Sequence, residues 1–193
     1  MEISQLPPSL RDQVNAELQS GERITWLDQP IAARLARTSI PAVLFGIPWT
    51  AFAIFWVVMA SKGVSQSHNA GAFQFFPLFG VPFILVGFGM LSSPYWAARS
   101  GRRTVYLLTD RRAIVLRTNF FGSVNVRSFE ASTLTDLQRN QNRDGSGDLI
   151  FAQDLRSGSR GREYTVNIGF LAVRDVKNVE NRVRALAAHS AES

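Results

Sequence analysis

Few residues in this chain have the types and spacing that catalysis or metal binding needs. His68 and His189 are the only histidines. One falls in a polar linker between two apolar stretches and the other in the C-terminal tail. Such a pair does not meet as metal ligands, or as a base with its orienting partner. There is no cysteine, which excludes thiol nucleophiles, Cys-based metal sites and disulfides. Asp110, Asp144, Asp148 and Asp154 fall mostly in turn-like segments, where Asp is favoured for backbone reasons. No Gly-Lys-Ser/Thr loop, Gly-x-Ser-x-Gly elbow or strand–Gly-x-Gly-x-x-Gly–helix pattern occurs. The expectation is therefore a non-enzyme with no catalytic residues, cofactor, metal or small-molecule substrate. An enzyme working at a bilayer surface would have to rely on residues such as Asp110 or Glu130.

The basic residues carry more information. Nineteen of the twenty-one Lys+Arg are Arg, which binds phosphate and carboxylate in a bidentate way. Arg34 and Arg37 precede the first apolar stretch, while Arg99, Arg102 and Arg103 follow the second. Such juxtamembrane residues set topology and are worth about 1 kcal/mol each against an anionic leaflet. Arg111, Arg112, Arg117 and Arg127 lie farther along and are candidates for lipid or partner contact, or for a solvated face. Phe120 and Phe121 occupy a predicted hairpin tip, where two adjacent aromatics do not both bury easily within one hairpin. They are candidate contacts to a bilayer or a partner's pocket, unless one joins the core. No aromatic-lined basic groove indicates nucleic acid.

The elements that position these residues follow from composition. Residues 39–96 contain one charge, Lys62, whereas residues 97–193 hold sixteen basic against ten acidic residues. Ser39–Ala60 is uncharged over 22 residues, about 33 Å as a helix, enough to cross a ~30 Å hydrocarbon core. Phe73–Trp96 is also uncharged and of spanning length. The short polar linker between them makes an antiparallel hairpin. Five Arg flank the outer ends of the pair against one Lys in the linker, so both termini should be cytoplasmic. Pro41, Pro48, Pro77, Pro82 and Pro94 lie in or beside the spans and predict kinks or early ends. No charge lies inside either span, which argues against a transport route. The expected localisation is an inner (plasma) membrane, crossed twice.

Residues 1–38 read as a cytoplasmic arm. Ser9 and Asp12 look like a helix start, and Leu10, Val14 and Leu18 form a narrow stripe. Such an arm is able to lie on the bilayer, dock on the C-terminal domain, or grip a partner. Glu22–Leu27 is β-like. From Thr104 onward strands are expected near 104–108, 113–116, 124–128, 134–140, 148–153 and 164–168. A helix follows, capped by Asp175 and carrying Val176, Val179, Val183 and Leu186 on one face. This pattern is a small barrel or sandwich closed by a helix, over residues 99–193, with Glu22–Leu27 available as a seventh strand.

The stretch Tyr106-Leu107-Leu108-Thr109-Asp110-Arg111-Arg112-Ala113-Ile114-Val115 resembles the opening hairpin of bacterial pleckstrin-homology (PH)-like domains, which often follow a pair of transmembrane helices. Gly21-Glu22-Arg23-Ile24-x-Trp26-x-x-Gln29-Pro30 is similar to the segment before those helices, and Gly169-Phe170-Leu171 fits the approach to the closing helix. The resemblance implies a membrane α-helical hairpin plus a β-rich PH-like barrel or sandwich of about seven strands, capped by a C-terminal helix. It does not imply inositide binding. The expected role is a membrane-anchored interaction module: a scaffold, assembly factor or accessory subunit with a membrane-protein partner. The alternative is a module that binds anionic membrane lipids.

Overall fold

The computed structural model describes residues 2–65, 71–119, 122–158 and 163–191. The chain forms two compact units. One joins Met1–Ala32 to Arg99–Ser193, and the other is Ala33–Ala98. The first unit is thus discontinuous in sequence. Most of the arm expected over residues 1–38 belongs to the same body as the C-terminal region.

The discontinuous unit contains two antiparallel sheets. The first has the order β1 (Ile24–Asp28), β2 (Thr104–Thr109), β3 (Arg112–Thr118), β4 (Val124–Glu130). The second has the order β5 (Gln138–Gln141), β6 (Gly147–Ser157), β7 (Glu163–Val173). The arm's Ile24–Asp28 is indeed a seventh strand, paired with β2 through Leu27↔Leu107 and Asp28↔Tyr106. β5 is shorter than expected: Ala131–Thr133 is a 3-10 turn, and buried Leu134 fills the core from outside any strand. The hairpin β6–β7 is longer than expected at both strands.

Both faces of the first sheet are covered, so β2 is buried along its whole length. That explains the unbroken apolar run in its sequence, where a half-exposed strand would alternate. One face carries Tyr106, Leu108 and Ala113 into the core with Leu149, Phe151, Phe170, Val173 and the closing helix. Trp26, Tyr106 and Phe151 surround Phe170 at centroid distances of 5.3, 5.0 and 4.8 Å. The opposite face carries Val105, Leu107, Ile114 and Leu116 against Leu6, Leu10 and Val14 of the arm. The helix α1 (Pro8–Glu17) starts at Pro8 and not after Ser9, with Pro7 at the cap. Proline suits the first helical position because its missing N–H has no intrahelical acceptor there. The narrow apolar stripe suffices because it covers a strip of sheet that is apolar throughout.

The closing helix α6 (Val176–Ala191) follows the expected pattern. Asp175 Oδ1 accepts from the Asn178 amide at 3.4 Å, and Val176, Val179, Val183 and Leu186 are buried. Beside this cap, the turn before β6 uses Gly145 at φ +79°, and its carbonyl accepts from the Val176 amide.

In the second unit, α3 (Ile40–Ser65) is continuous through Pro48. It is long and apolar enough to cross a membrane, and 17% of its apolar window is buried. The short helix α2 (Ala32–Arg37) precedes it. The second apolar stretch, expected as one span over 73–96, is instead broken. A 3-10 segment, Gly71–Phe79, leads into α4 (Gly80–Leu91) and then α5 (Ser93–Arg102), with a bend of 46° at Ser92. Pro77, Pro82 and Pro94 supply the physical reason, since each removes a backbone donor that a straight helix would use.

Candidate interaction surfaces

The Thr109–Arg112 turn, the sharpest motif in the sequence, is gripped by the N-terminal arm. The Glu22 side chain is fully shielded from solvent. It accepts from Arg112 Nε at 2.8 Å and Nη2 at 2.9 Å, from Thr109 Oγ1 at 2.8 Å, and from the Gln19 amide at 2.8 Å. The charge-assisted bonds from Arg112 hold its carboxyl down at about 2 despite burial. Arg112 is raised in turn, chiefly by its bond to Glu22. It also donates from Nη2 to the Glu17 carbonyl at 2.9 Å, satisfying the C-terminal turn of α1. Beside it, Asp110 exchanges bonds with Arg23: the Arg23 amide donates to Asp110 Oδ1, and the Asp110 amide donates to the Arg23 carbonyl, both at 3.0 Å.

This arrangement gives Arg112, a candidate lipid or partner contact, internal partners: its guanidinium fastens the arm to the hairpin. Of the four motif residues Asp110 and Arg111 are exposed, and Arg111 remains a candidate contact. Arg127 is paired too, at 2.8 Å with Asp154 across the two sheets. Asp28 in β1 binds Arg174 at 2.8 Å, and Glu180 in α6 holds both Arg139 and Arg184. Glu22 and Asp28 were missed as structural anchors. The signal available for them was an acidic residue set at each end of an alternating strand.

A different set of arginines gathers where α5 runs into β2. Arg99 and Arg102 lie on the last turn of α5, and Arg103 precedes β2. Arg103 Nη1 donates to the Asn119 carbonyl at 3.2 Å. Arg117, opposite Thr104 in the β2–β3 register, donates to Ser100 Oγ at 2.9 Å. The structure therefore places Arg117 with Arg103 at one end of the first sheet. Arg34 and Arg37 lie on α2, with Arg37 exposed. Phe120, Phe121 and His68 lie outside the described residues.

Among the described residues no group of three His, Cys, Asp or Glu is placed to hold a metal. Of the acidic residues expected in turns, Asp144 accepts from Ser146 in the turn before β6, whereas Asp148 and Asp154 lie within β6 itself, where Asp148 accepts from the Ala172 amide. Burial pushes the Tyr106 phenol up to about 12, so it stays protonated at neutral pH.

The helical unit has its own surface. Along α3, Gly46 meets Met90 and Leu91 of α4, Thr50 meets Gly87, and Trp56 and Val57 meet Gly80. A Cβ on Gly80 would come within 2.0 Å of Val57 Cγ2, and one on Gly87 within 2.2 Å of Thr50 Oγ1. Small residues at such a seam allow the close backbone approach that helix pairs in lipid favour. Trp49 Nε1 donates across the pair to the Phe83 carbonyl at 3.0 Å. An apolar cleft of about 240 Å³ opens between Trp49, Phe52, Ala53, Trp56, Gly80 and Phe83. Away from this seam large apolar side chains are exposed, among them Leu44, Phe52, Phe79 and Leu85, each at 65–68 %.

No protein-family model matches the chain, and no curated protein matches it. Among solved structures, it is similar to the crystal structure of a DUF1696-family protein with a pleckstrin-homology domain from Shewanella loihica PV-4. The identity is 16%, the TM-score 0.31, and the match covers 44% of this chain and 71% of that one. On their own geometry, the four- and three-stranded antiparallel sheets and the C-terminal helix fit a PH-like fold.

Proposed function

We propose that this chain is a non-enzymatic, membrane-anchored interaction module, acting as a scaffold, assembly factor or accessory subunit of a larger membrane complex. The observation that carries the reading is the helical unit, whose seam is packed through glycines while its outer surface is apolar and exposed. A surface of that kind needs lipid or other helices around it. In this reading the helices cross the inner membrane twice, with both termini cytoplasmic, following the excess of Arg at the outer ends of the pair. The PH-like unit is then the cytoplasmic recognition element. Its partners are membrane lipids and a membrane protein, and neither nucleic acid nor a small-molecule substrate.

The second reading, a module for anionic lipid, is favoured by the grouping of Arg99, Arg102, Arg103 and Arg117 at one end of the first sheet. Purification of a tagged chain from its own membranes in a gentle detergent, across a salt series, separates the two. A protein retained in fixed ratio at high salt supports the accessory-subunit reading. Recovery of the chain alone, with anionic lipid lost as salt rises, sinks it in favour of the lipid module.

A further inference from the structure

Past Ile150, β6 has no strand on its β5 side among the described residues. β5 is four residues long and its pairing ends at Gln138↔Ile150. A register shift between Ile150 and Ala152 re-aims β6 at that point. From Ala152 to Ser157 β6 then pairs regularly with β7. Its other edge presents a row of backbone donors and acceptors without a neighbouring strand. Protein edges of this kind are usually shielded by Pro, by charged side chains, especially Lys, or by a covering loop, and the charges on this edge, Asp154 and Arg156, are of opposite sign. Residues 151–157, FAQDLRS, contain neither Pro nor Lys. In their midst Leu155 is 73% exposed, the most exposed large apolar side chain among the described residues.

The alternation along β6 sorts its side chains. Asp154 reaches Arg127 of the first sheet, so Ala152, Asp154 and Arg156 share the inner side, and Gln153, Leu155 and Ser157 the outer. We propose that this edge pairs with the same edge of a second copy of the chain, antiparallel and centred on Leu155. That register sets Leu155 against Leu155 of the second copy, Asp154 against its Arg156, and Gln153 against its Ser157. Apolar and opposite-charge pairs directly across antiparallel strands are favourable, and like charges are not. Centring on Asp154 or on Arg156 instead would oppose two carboxylates or two guanidinium groups. Centring between Asp154 and Leu155 is excluded by the pleat, because it would set an inner-side residue directly opposite an outer-side one. The outer edge of β7 lacks this self-complementarity: centred on Thr165, it opposes Glu163 to Asn167 and contains no charge pair.

The absence of cysteine gives single-cysteine variants a clean background. In the full chain in its own membranes, Leu155→Cys should form a disulfide-linked dimer under mild oxidation, because directly opposed Cα atoms lie about 4.5–5.5 Å apart. Thr165→Cys, on the strand paired with Leu155, is the control. Two copies of that position would be three strand spacings apart, about 14 Å, beyond the ~7 Å limit for a disulfide. It should remain monomeric. Adding Arg156→Asp to Leu155→Cys should lower cross-linking several-fold, since it opposes Asp154 to an aspartate. The proposal is overturned by any of four results. These are no dimer at Leu155, equal cross-linking at Leu155 and Thr165, a product whose mass contains a different protein, or cross-linking that Arg156→Asp leaves unchanged. None of these results depends on whether the chain is an accessory subunit.

Discussion

At the residue scale, the decisive group is the Glu22 carboxylate. Removing one partner of a shielded pair strands the other, at a cost of about 3 kcal/mol. Glu22→Gln should therefore lower the unfolding free energy of the PH-like unit by about that amount at neutral pH. The native carboxyl sits at about 2 against an ordinary 4.5. Because its folded value is the lower one, its contribution is fully present above pH 4.5 and is lost as pH falls from 4.5 toward 2. Denaturant titrations of the wild type and Glu22→Gln should accordingly converge over that window. A gap that persists at pH 2 would refute the assignment. Gly169 offers a second test. A Cβ there would lie 2.0 Å from the Leu149 carbonyl oxygen, a backbone atom with no room to yield. Gly169→Ala should cost at least about 1–3 kcal/mol in thermal or chemical unfolding.

At the scale of elements, the arm helix and the helix pair each make a distinct prediction. Leu10 is buried with Val14 and Leu6 on the outer face of the first sheet. Leu10→Ala should cost about 2–5 kcal/mol. Leu10→Asp should release α1 altogether, and hydrogen exchange should then show β2 and β3 amides losing protection while β6 and β7 keep theirs. Uniform loss across both sheets would show that α1 is not a separate cover. In the helical unit, Gly87→Leu would drive a side chain into Thr50. The detergent-solubilised helix pair should lose thermal stability, whereas Gly89→Leu should not, because Gly89 faces open space.

At the scale of the whole molecule, the consequence is a domain interrupted by an insertion. Residues 99–193 lack β1, the cover for the outer face, and the partner of Arg112. Expressed alone, they should be aggregation-prone and show no cooperative unfolding. A chain in which residues 33–98 are replaced by a flexible Gly/Ser linker keeps every contact of the unit. It should be soluble and unfold in one cooperative transition. Cooperative folding of 99–193 by itself would show that the arm is dispensable.

Much of this was legible in the sequence because local chemistry governs it. A long uncharged apolar run determines a helix of spanning length, whatever its surroundings. Asp175 with Val176, Val179, Val183 and Leu186 determines a capped amphipathic helix. Thr109–Arg112 determines a turn, and the prolines determine where the second apolar stretch breaks. What the tertiary structure alone decided is which distant groups meet. Arg112 looked available for a ligand because its partner lies 90 positions earlier, behind the entire helical insertion. A continuous apolar strand specifies burial on both faces but not the cover, and a two-turn stripe in the arm is too short to name its target. The edge of β6 was invisible for the same reason. Strand length is local, but whether the next strand reaches far enough to cover it depends on the register of another segment.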